Sequence, residues 1–366
     1  MSLSSGRKPQ KNGVLKLNLA LQGGGAHGAF TWGVLDRLLD EHDIEIAGIT
    51  GTSAGAMNAA VLASGYAEGG RETAKTKLHE FWYQISVAAG GVYAPNHPSP
   101  LEWMADWPGL EWLSALKPAD ALTRTFSPYE LNPFNLNPLR QVLENIVNVE
   151  ALQKSPIHLF VTATNVETGQ PRIFTSHDMT LDVLLASACL PLVYQAVQID
   201  GVPYWDGGYV GNPSIWPLIY KTTCPDVLLV QINPLNRPGT PKNATDIIDR
   251  LNEISFNSSL IAEMRAINFV KRLIHDGHLS EKNYTNIHMH MVAPPEAMKC
   301  MTASSKTNAN WQFFEALHAT GRLQMNDWLR KHKKALGKRS TVNIEESFLA
   351  KPKRTTLKPT TTKKAN

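Results

Sequence analysis

The chain has 366 residues, 43% of them hydrophobic and 19% charged, which suits a large globular core and excludes a disulfide-stapled miniprotein or a wholly disordered chain. Its net charge of +4 conceals a split: from Arg330 to Asn366 there are 12 Lys or Arg against only Glu345 and Glu346, whereas the preceding residues hold 24 basic against 30 acidic side chains. Cys189, Cys224 and Cys300 are too few and too scattered for a disulfide framework or a structural zinc site, so reduced thiols and no metal are expected.

Residues 1–13 (MSLSSGRKPQKNG) are polar, lack the apolar stretch of a secretory signal and are expected to be disordered. No uninterrupted apolar run approaches the roughly 20 residues of a membrane-spanning helix. A cytoplasmic or peripheral membrane protein is expected, with export without a cleavable signal left open.

Val14 to Leu21 (VLKLNLAL) alternates and then runs apolar, the pattern of a buried strand, and the glycine cluster Gly23, Gly24, Gly25 follows at once. Phe30, Val34, Leu35, Leu38 and Leu39 then share one helical stripe. A second strand, Ile44 to Thr50, ends in GTSAG, and AMNAAVLASG reads as a helix stopped by Gly65. The runs IHLFVTATNV from Ile157 and DVLLVQINP from Asp226 predict further buried strands. Strands alternating with helices imply a three-layer α/β/α fold around a mainly parallel central sheet.

Between residues 86 and 140 eight prolines interrupt an aromatic-rich stretch that includes Trp103, Trp107 and Trp112, an insertion rather than a strand. Thr245 to Ile274 and Trp311 to Leu336 carry helical apolar spacing and predict a helical C-terminal extension. The domain reading is a catalytic unit at 14–218 with the insertion at 86–140, a C-terminal part of the same fold at 219–336, and a basic, disordered tail at 337–366.

Gly51, Thr52, Ser53, Ala54 and Gly55 spell GxSxG between a strand and a helix. A serine there adopts a strained backbone that pushes its hydroxyl clear, and the helix beginning at Ala54 turns its positive end toward the site of a developing oxyanion. The loop GGGAHG (Gly23, Gly24, Gly25, Ala26, His27, Gly28) also follows a strand and opens a helix, and its exposed N–H groups suit a negative charge. Two readings compete at this loop. It matches the dinucleotide fingerprint GxGxxG, with Asp43 or Glu45 near the expected acidic position, or it is an oxyanion hole serving Ser53, which the neighbouring serine turn favours. Asp206 in YWDGGY, followed by Gly207 and Gly208, is the strongest acidic partner for the serine.

At these motifs the sequence resembles the patatin-like phospholipases, which carry a glycine-rich oxyanion loop, a GxSxG elbow and a DGG or DGA aspartate in this order. LLASACLPLVYQAV (Leu184 to Val197) resembles the family's Ala-Ser and Pro-containing stretch, and the resemblance covers roughly Leu17 to Leu218. His27 departs from the pattern, since many members have Arg or Lys there.

The resemblance implies a Ser53 and Asp206 dyad without a histidine, an oxyanion hole made by N–H groups of Gly24, Gly25 and Ala26, and hydrolysis of acyl ester bonds in phospholipid or another acyl lipid. It implies no cofactor and no nucleic-acid partner, and the basic tail suits peripheral contact with an anionic membrane. Three alternatives remain: a Ser-His-Asp esterase using His275 or His278, a dinucleotide-binding oxidoreductase, and a noncatalytic lipid-binding protein. His288 and His290, two apart, are expected on an exposed strand face.

Overall fold

Strand β1 (Leu15–Leu21) is buried from Leu17 onward because its apolar run is covered on both faces. It pairs in parallel with β2 (Ile44–Gly51) on one side and β7 (Asp226–Val230) on the other. Beyond β2 lies β3 (His158–Asn165), also parallel, and beyond β7 lies β8 (His288–Val292), parallel again. β4 (Pro171–Thr175), β5 (Val197–Ile199) and β6 (Val202–Asp206) add antiparallel pairings, giving the order β5-β6-β3-β2-β1-β7-β8 with β4 branching from β3. The computed structural model describes residues 13–90, 126–237, 239–242, 244–295 and 303–349.

The helices are α1 (Gly28–Leu39), α2 (Ala54–Ala88), α3 (Pro128–Leu131), α4 (Pro138–Ile146), α5 (Val149–Gln153), α6 (Leu181–Ser187), α7 (Trp216–Lys221), α8 (Ala244–His275) and α9 (Trp311–His332). Strand alternation sorts them into two outer layers. Leu17, Leu19, Leu21, Leu228 and Val230 join one apolar cluster with α1, α2 and α9, while Ala20, Val227 and Leu229 join a second with Leu218 of α7 and Leu260 and Met264 of α8. The fold is therefore the expected three-layer α/β/α arrangement. Helices α1 and α9 cross so closely that a Cβ on Gly33 would stand 2.0 Å from the His318 carbonyl oxygen. Asp36, beside that crossing, accepts from His318 (2.8 Å) and Arg322 (2.5 Å).

Several expectations change. Gly65 does not stop α2, which continues to a kink at Gly69 and Gly70. A Cβ on Gly65 would meet the Cα of Ala74 at 2.7 Å, so this glycine lets the two halves of the helix pack rather than ending one. The tail is not disordered from residue 337. Ile344 and Phe348 are buried in the cluster around α8, and the Gly337 N–H donates to both carboxyl oxygens of Asp226 at 3.0 Å. His290 is not exposed but fully buried, its Nε2 2.9 Å from Asp226 Oδ1 and its Nδ1 2.9 Å from Thr341 Oγ1. The packed tail covers the strand edge that the sequence alone leaves open to solvent.

Trp103, Trp107 and Trp112 lie outside the described residues, as do residues 1–12, Cys300 and residues 350–366. Of the insertion expected at 86–140, Ser86 still belongs to α2, where its hydroxyl donates to the Ala309 carbonyl (2.6 Å). Cys189 and Cys224 are buried free thiols. Among the described residues no helix is long and apolar enough to cross a membrane.

Candidate active site

β1 and β2 end side by side, with Leu21 paired to Gly51, so the loops that follow them meet at the carboxyl edge of the sheet. From β2 the chain turns sharply into α2 through Ser53, whose φ of 53° and ψ of −127° place a non-glycine residue in strained backbone. Ser187, fully buried at the end of α6, holds this turn: its Oγ accepts the Ser53 N–H (3.0 Å) and donates to the Thr162 carbonyl of β3 (2.7 Å). Thr52, buried beside the serine, donates its hydroxyl to the Gly211 carbonyl (2.7 Å). The N-terminal turn of α2, Ala54 and Gly55, then lies directly behind Ser53.

Asp206 arrives from the opposite direction. β6 runs antiparallel to β3 and ends with Asp206 opposite Ala163, two positions past Val161, which pairs with Gly51. Its backbone is fixed by Asp206 N–H to the Cys189 carbonyl (2.8 Å) and by Thr164 Oγ1 to the Asp206 carbonyl (2.7 Å). A Cβ on Gly207 would lie 2.1 Å from the Thr162 carbonyl oxygen, which explains why a glycine follows the aspartate. The Asp206 side chain is 1% exposed, and its Oδ1 accepts the Gly208 N–H (2.7 Å). Oδ2 has no hydrogen bond of good geometry among the described residues.

Burial pushes the Asp206 carboxyl up to about 6, against the opposing pull of the Gly208 N–H and the nearby Ser53 hydroxyl. A carboxylate of that basicity is a better proton acceptor than an ordinary aspartate and is still mostly ionised at neutral pH. The same burial raises the Cys189 thiol to about 11 and the Tyr209 phenol to about 12, with the Asp206 charge adding to both.

The glycine loop stands against the serine: a Cβ on Gly23 would be 2.6 Å from the Ser53 Cβ. Gly23 is fastened to its surroundings, giving its N–H to Asn212 Oδ1 (2.7 Å) and accepting at its carbonyl from Asn233 Nδ2 (2.7 Å) and Asn212 Nδ2 (3.3 Å). The His27 N–H returns to the Gly24 carbonyl (3.3 Å), and the Gly28 N–H to the carbonyls of Gly25 and Ala26. Among the described residues no acceptor takes the N–H groups of Gly24, Gly25 and Ala26. Those three donors are what the loop can offer an anion, and Gly23, His27 and Gly28 serve as its frame.

His27 is itself buried, with Nε2 2.8 Å from Ser305 Oγ. Burial first, then the charges of Lys306 and Arg237, lower its pKa to about 4, so it is neutral at physiological pH. Behind the loop, Gln22 Oε1 accepts the N–H groups of Ile232 and Asn233 (2.9 Å each), and Gln22 Nε2 donates to the Asn212 carbonyl (3.2 Å). Gln22, Asn212 and Asn233 belong to no sequence motif, although a glutamine closing an apolar strand is a legible signal of a polar bracket. Ser187 lies within the stretch Leu184 to Val197, where the sequence alone gives it no role.

Two sequence alternatives lose their footing. Asp43 and Glu45 stand at the amino end of β2, opposite the edge where the glycine loop lies, and Asp43 pairs with Lys333 at 2.7 Å. A dinucleotide ribose needs its acidic partner at the carboxyl edge. His275 and His278 lie at and just beyond the C-terminal end of α8, exposed, and among the described residues the Asp206 carboxyl accepts from the Gly208 N–H and from no histidine.

A mainly parallel sheet with a serine in a strand-turn-helix elbow at its carboxyl edge places the molecule in the class of α/β ester hydrolases. Residues 19–219 match the family model described as patatin-like phospholipase, and the chain belongs to that family. It is also similar in structure to VipD from Legionella pneumophila, at 16% identity and a TM-score of 0.36, over 83% of this chain and 67% of that one. A second similar structure is full-length ExoU, from the type III secretion system of Pseudomonas aeruginosa, in complex with full-length SpcU. There the identity is 16% and the TM-score 0.31, over 87% of this chain and 53% of that one, so this chain spans about half the length of ExoU. No curated protein matches the chain.

Proposed function

We propose that the chain is a serine lipid acyl hydrolase of phospholipase A or lysophospholipase type, working through Ser53 and Asp206. The observation that carries the reading is the strained Ser53 turn facing a buried carboxyl group, with the Gly24, Gly25 and Ala26 N–H groups open beside it.

In this mechanism Ser53 Oγ attacks the acyl carbonyl while Asp206 takes the hydroxyl proton, and the tetrahedral oxyanion is stabilised by the three loop N–H groups. Asp206 returns the proton to the departing alcohol oxygen, leaving an acyl group on Ser53. Water then attacks the acyl group while giving a proton to Asp206, and Asp206 passes that proton to Ser53 Oγ as the acid leaves, which restores both the hydroxyl and the carboxylate. Neutral His27 adds no charge of its own, so the burden falls on backbone donors and on the end of α2.

Residues 14–218 are the catalytic unit in this proposal, and 219–336 complete the same fold. The substrate is an acyl lipid, and the basic residues near the C-terminus provide peripheral attraction to an anionic bilayer.

The test is hydrolysis of a short-chain chromogenic ester by the wild type, Ser53→Ala and Asp206→Asn, with folding followed by circular dichroism. Both folded variants are expected to lose several powers of ten in kcat, since they remove members of one unit. Equal rates in all three would end the dyad mechanism.

A further inference from the structure

The single turn Ala303–Thr307 lies against the outside of the glycine loop. Its Ser305 Oγ meets His27 Nε2 at 2.8 Å. Its Lys306 carbonyl oxygen stands 2.4 Å from where a Cβ on Gly25 would be, at the one loop position with φ near +58°. Lys306 Nζ donates to Asn233 Oδ1 (2.9 Å), and Asn233 Nδ2 donates in turn to the Gly23 carbonyl (2.7 Å). A cation is thus joined to the loop backbone by two hydrogen bonds in series through one amide. Charge on the acceptor end of that amide strengthens its N–H donors and fixes its orientation, which in turn fixes Gly23 and the donors after it.

The electrostatics agree with this geometry. Lys306 is the foremost charge acting on buried His27, ahead of Arg237. Arg237 is also engaged in a two-point pair with buried Glu253 (2.6 and 3.1 Å). Lys306 thus acts on the loop from outside its own sequence, where the loop's only titratable side chain is held neutral.

We propose that Lys306 is a positioning residue of the glycine loop, holding Asn233 against Gly23 and supplying positive charge beside the N–H groups that receive the oxyanion. The inference rests on the Ser53 mechanism proposed above. It assigns a role to a residue beyond the family match, on a turn that carries no recognisable motif.

The experiment uses the full chain and a neutral short-chain ester, so that no lipid head group is involved, with Lys306→Met, Lys306→Gln and Lys306→Arg beside Ser53→Ala. Lys306→Met is expected to lower kcat by about tenfold to a hundredfold with KM changed by less than about twofold, a smaller loss than removing a direct oxyanion donor. Lys306→Gln keeps a donor for Asn233 without the charge and should lie between, and Lys306→Arg should recover most of the rate. The His27 imidazole, followed by nuclear magnetic resonance, should titrate at higher pH in the Met and Gln variants.

A kcat within twofold of wild type in the folded Met variant, or an effect on KM alone, would overturn the proposal. So would a loss that Arg does not recover, or an unmoved His27 titration. Should Lys306→Met fail to fold, the Gln and Arg variants and the His27 titration decide by the same criteria. A rate untouched by Ser53→Ala would instead remove the underlying mechanism, which keeps the two failures distinct.

Discussion

Replacing Ser187 with alanine removes one hydroxyl and two hydrogen bonds, both at the turn that carries Ser53, the proposed nucleophile. The Ser53 N–H loses its acceptor at 3.0 Å and the Thr162 carbonyl loses its donor at 2.7 Å, and Ser187 is fully buried, so water cannot readily replace either bond. Each orphaned buried group costs about 1–3 kcal/mol, giving about 2–4 kcal/mol in all once partial relaxation is allowed. For a single fold of this length this lowers the melting temperature by about 3–5 °C. The strained φ of 53° at Ser53 represents a further 1–3 kcal/mol, on the order of magnitude usual for such conformers, that the turn loses its means of holding. Relaxation there swings Oγ away from Asp206, and kcat should fall at least about tenfold even when the assay is run well below the unfolding transition. Thermal unfolding by circular dichroism and steady-state ester hydrolysis test both parts. A Ser187→Ala protein that melts with the wild type and turns over at the same rate would refute the reasoning.

Other outcomes follow from the same geometry. In the proposed mechanism Asp206 must be a carboxylate to accept the serine proton, and its pKa is raised to about 6, so kcat/KM should rise through about pH 6 and level off above it. A flat profile between pH 4.5 and 8 would contradict that assignment. His27, lowered to about 4, should add no limb in this range, and His27→Asn should leave the midpoint in place. Phe348→Ala should weaken the docking of residues 337–349 by about 2–4 kcal/mol. Trypsin cleavage after Lys338 or Arg339 should then accelerate while ester hydrolysis is unchanged, and equal cleavage rates in the two proteins would show that the tail is held by other contacts.

The strand-loop-helix units around Gly23 and Ser53 were legible because local pattern and topology coincide there: an apolar run, a glycine turn and a helical stripe, twice in succession. Asp206 was legible through the two glycines after it, and Gly207 is glycine because the Thr162 carbonyl leaves no room for a Cβ. What stayed hidden depends on contacts between distant segments. Gln22, Asn212, Asn233 and Lys306 meet only after β7 has paired with β1 and the 303–307 turn has closed on the loop. The packed tail was missed for a related reason. Its Lys and Thr content suggested solvation, whereas Ile344 and Phe348 are spaced to reach one crevice beside α8, and Asp226 draws in the Gly337 N–H. Gly65 misled because a helix-ending glycine and a helix-packing glycine look identical in a linear string.

The bracing of the glycine loop from late in the chain sets an order of events during synthesis. Ser53 and the loop leave the ribosome well before β7, the Lys306 turn and the α9 helix that crosses α1. At about 5–20 residues per second, the interval between Ser53 and Trp311 lasts roughly 10–50 s. Throughout it the nascent chain carries Ser53 without the contacts that brace the glycine loop beside it. In the proposed mechanism, esterase competence should thus appear only after residues 303–332 have emerged and packed on the loop.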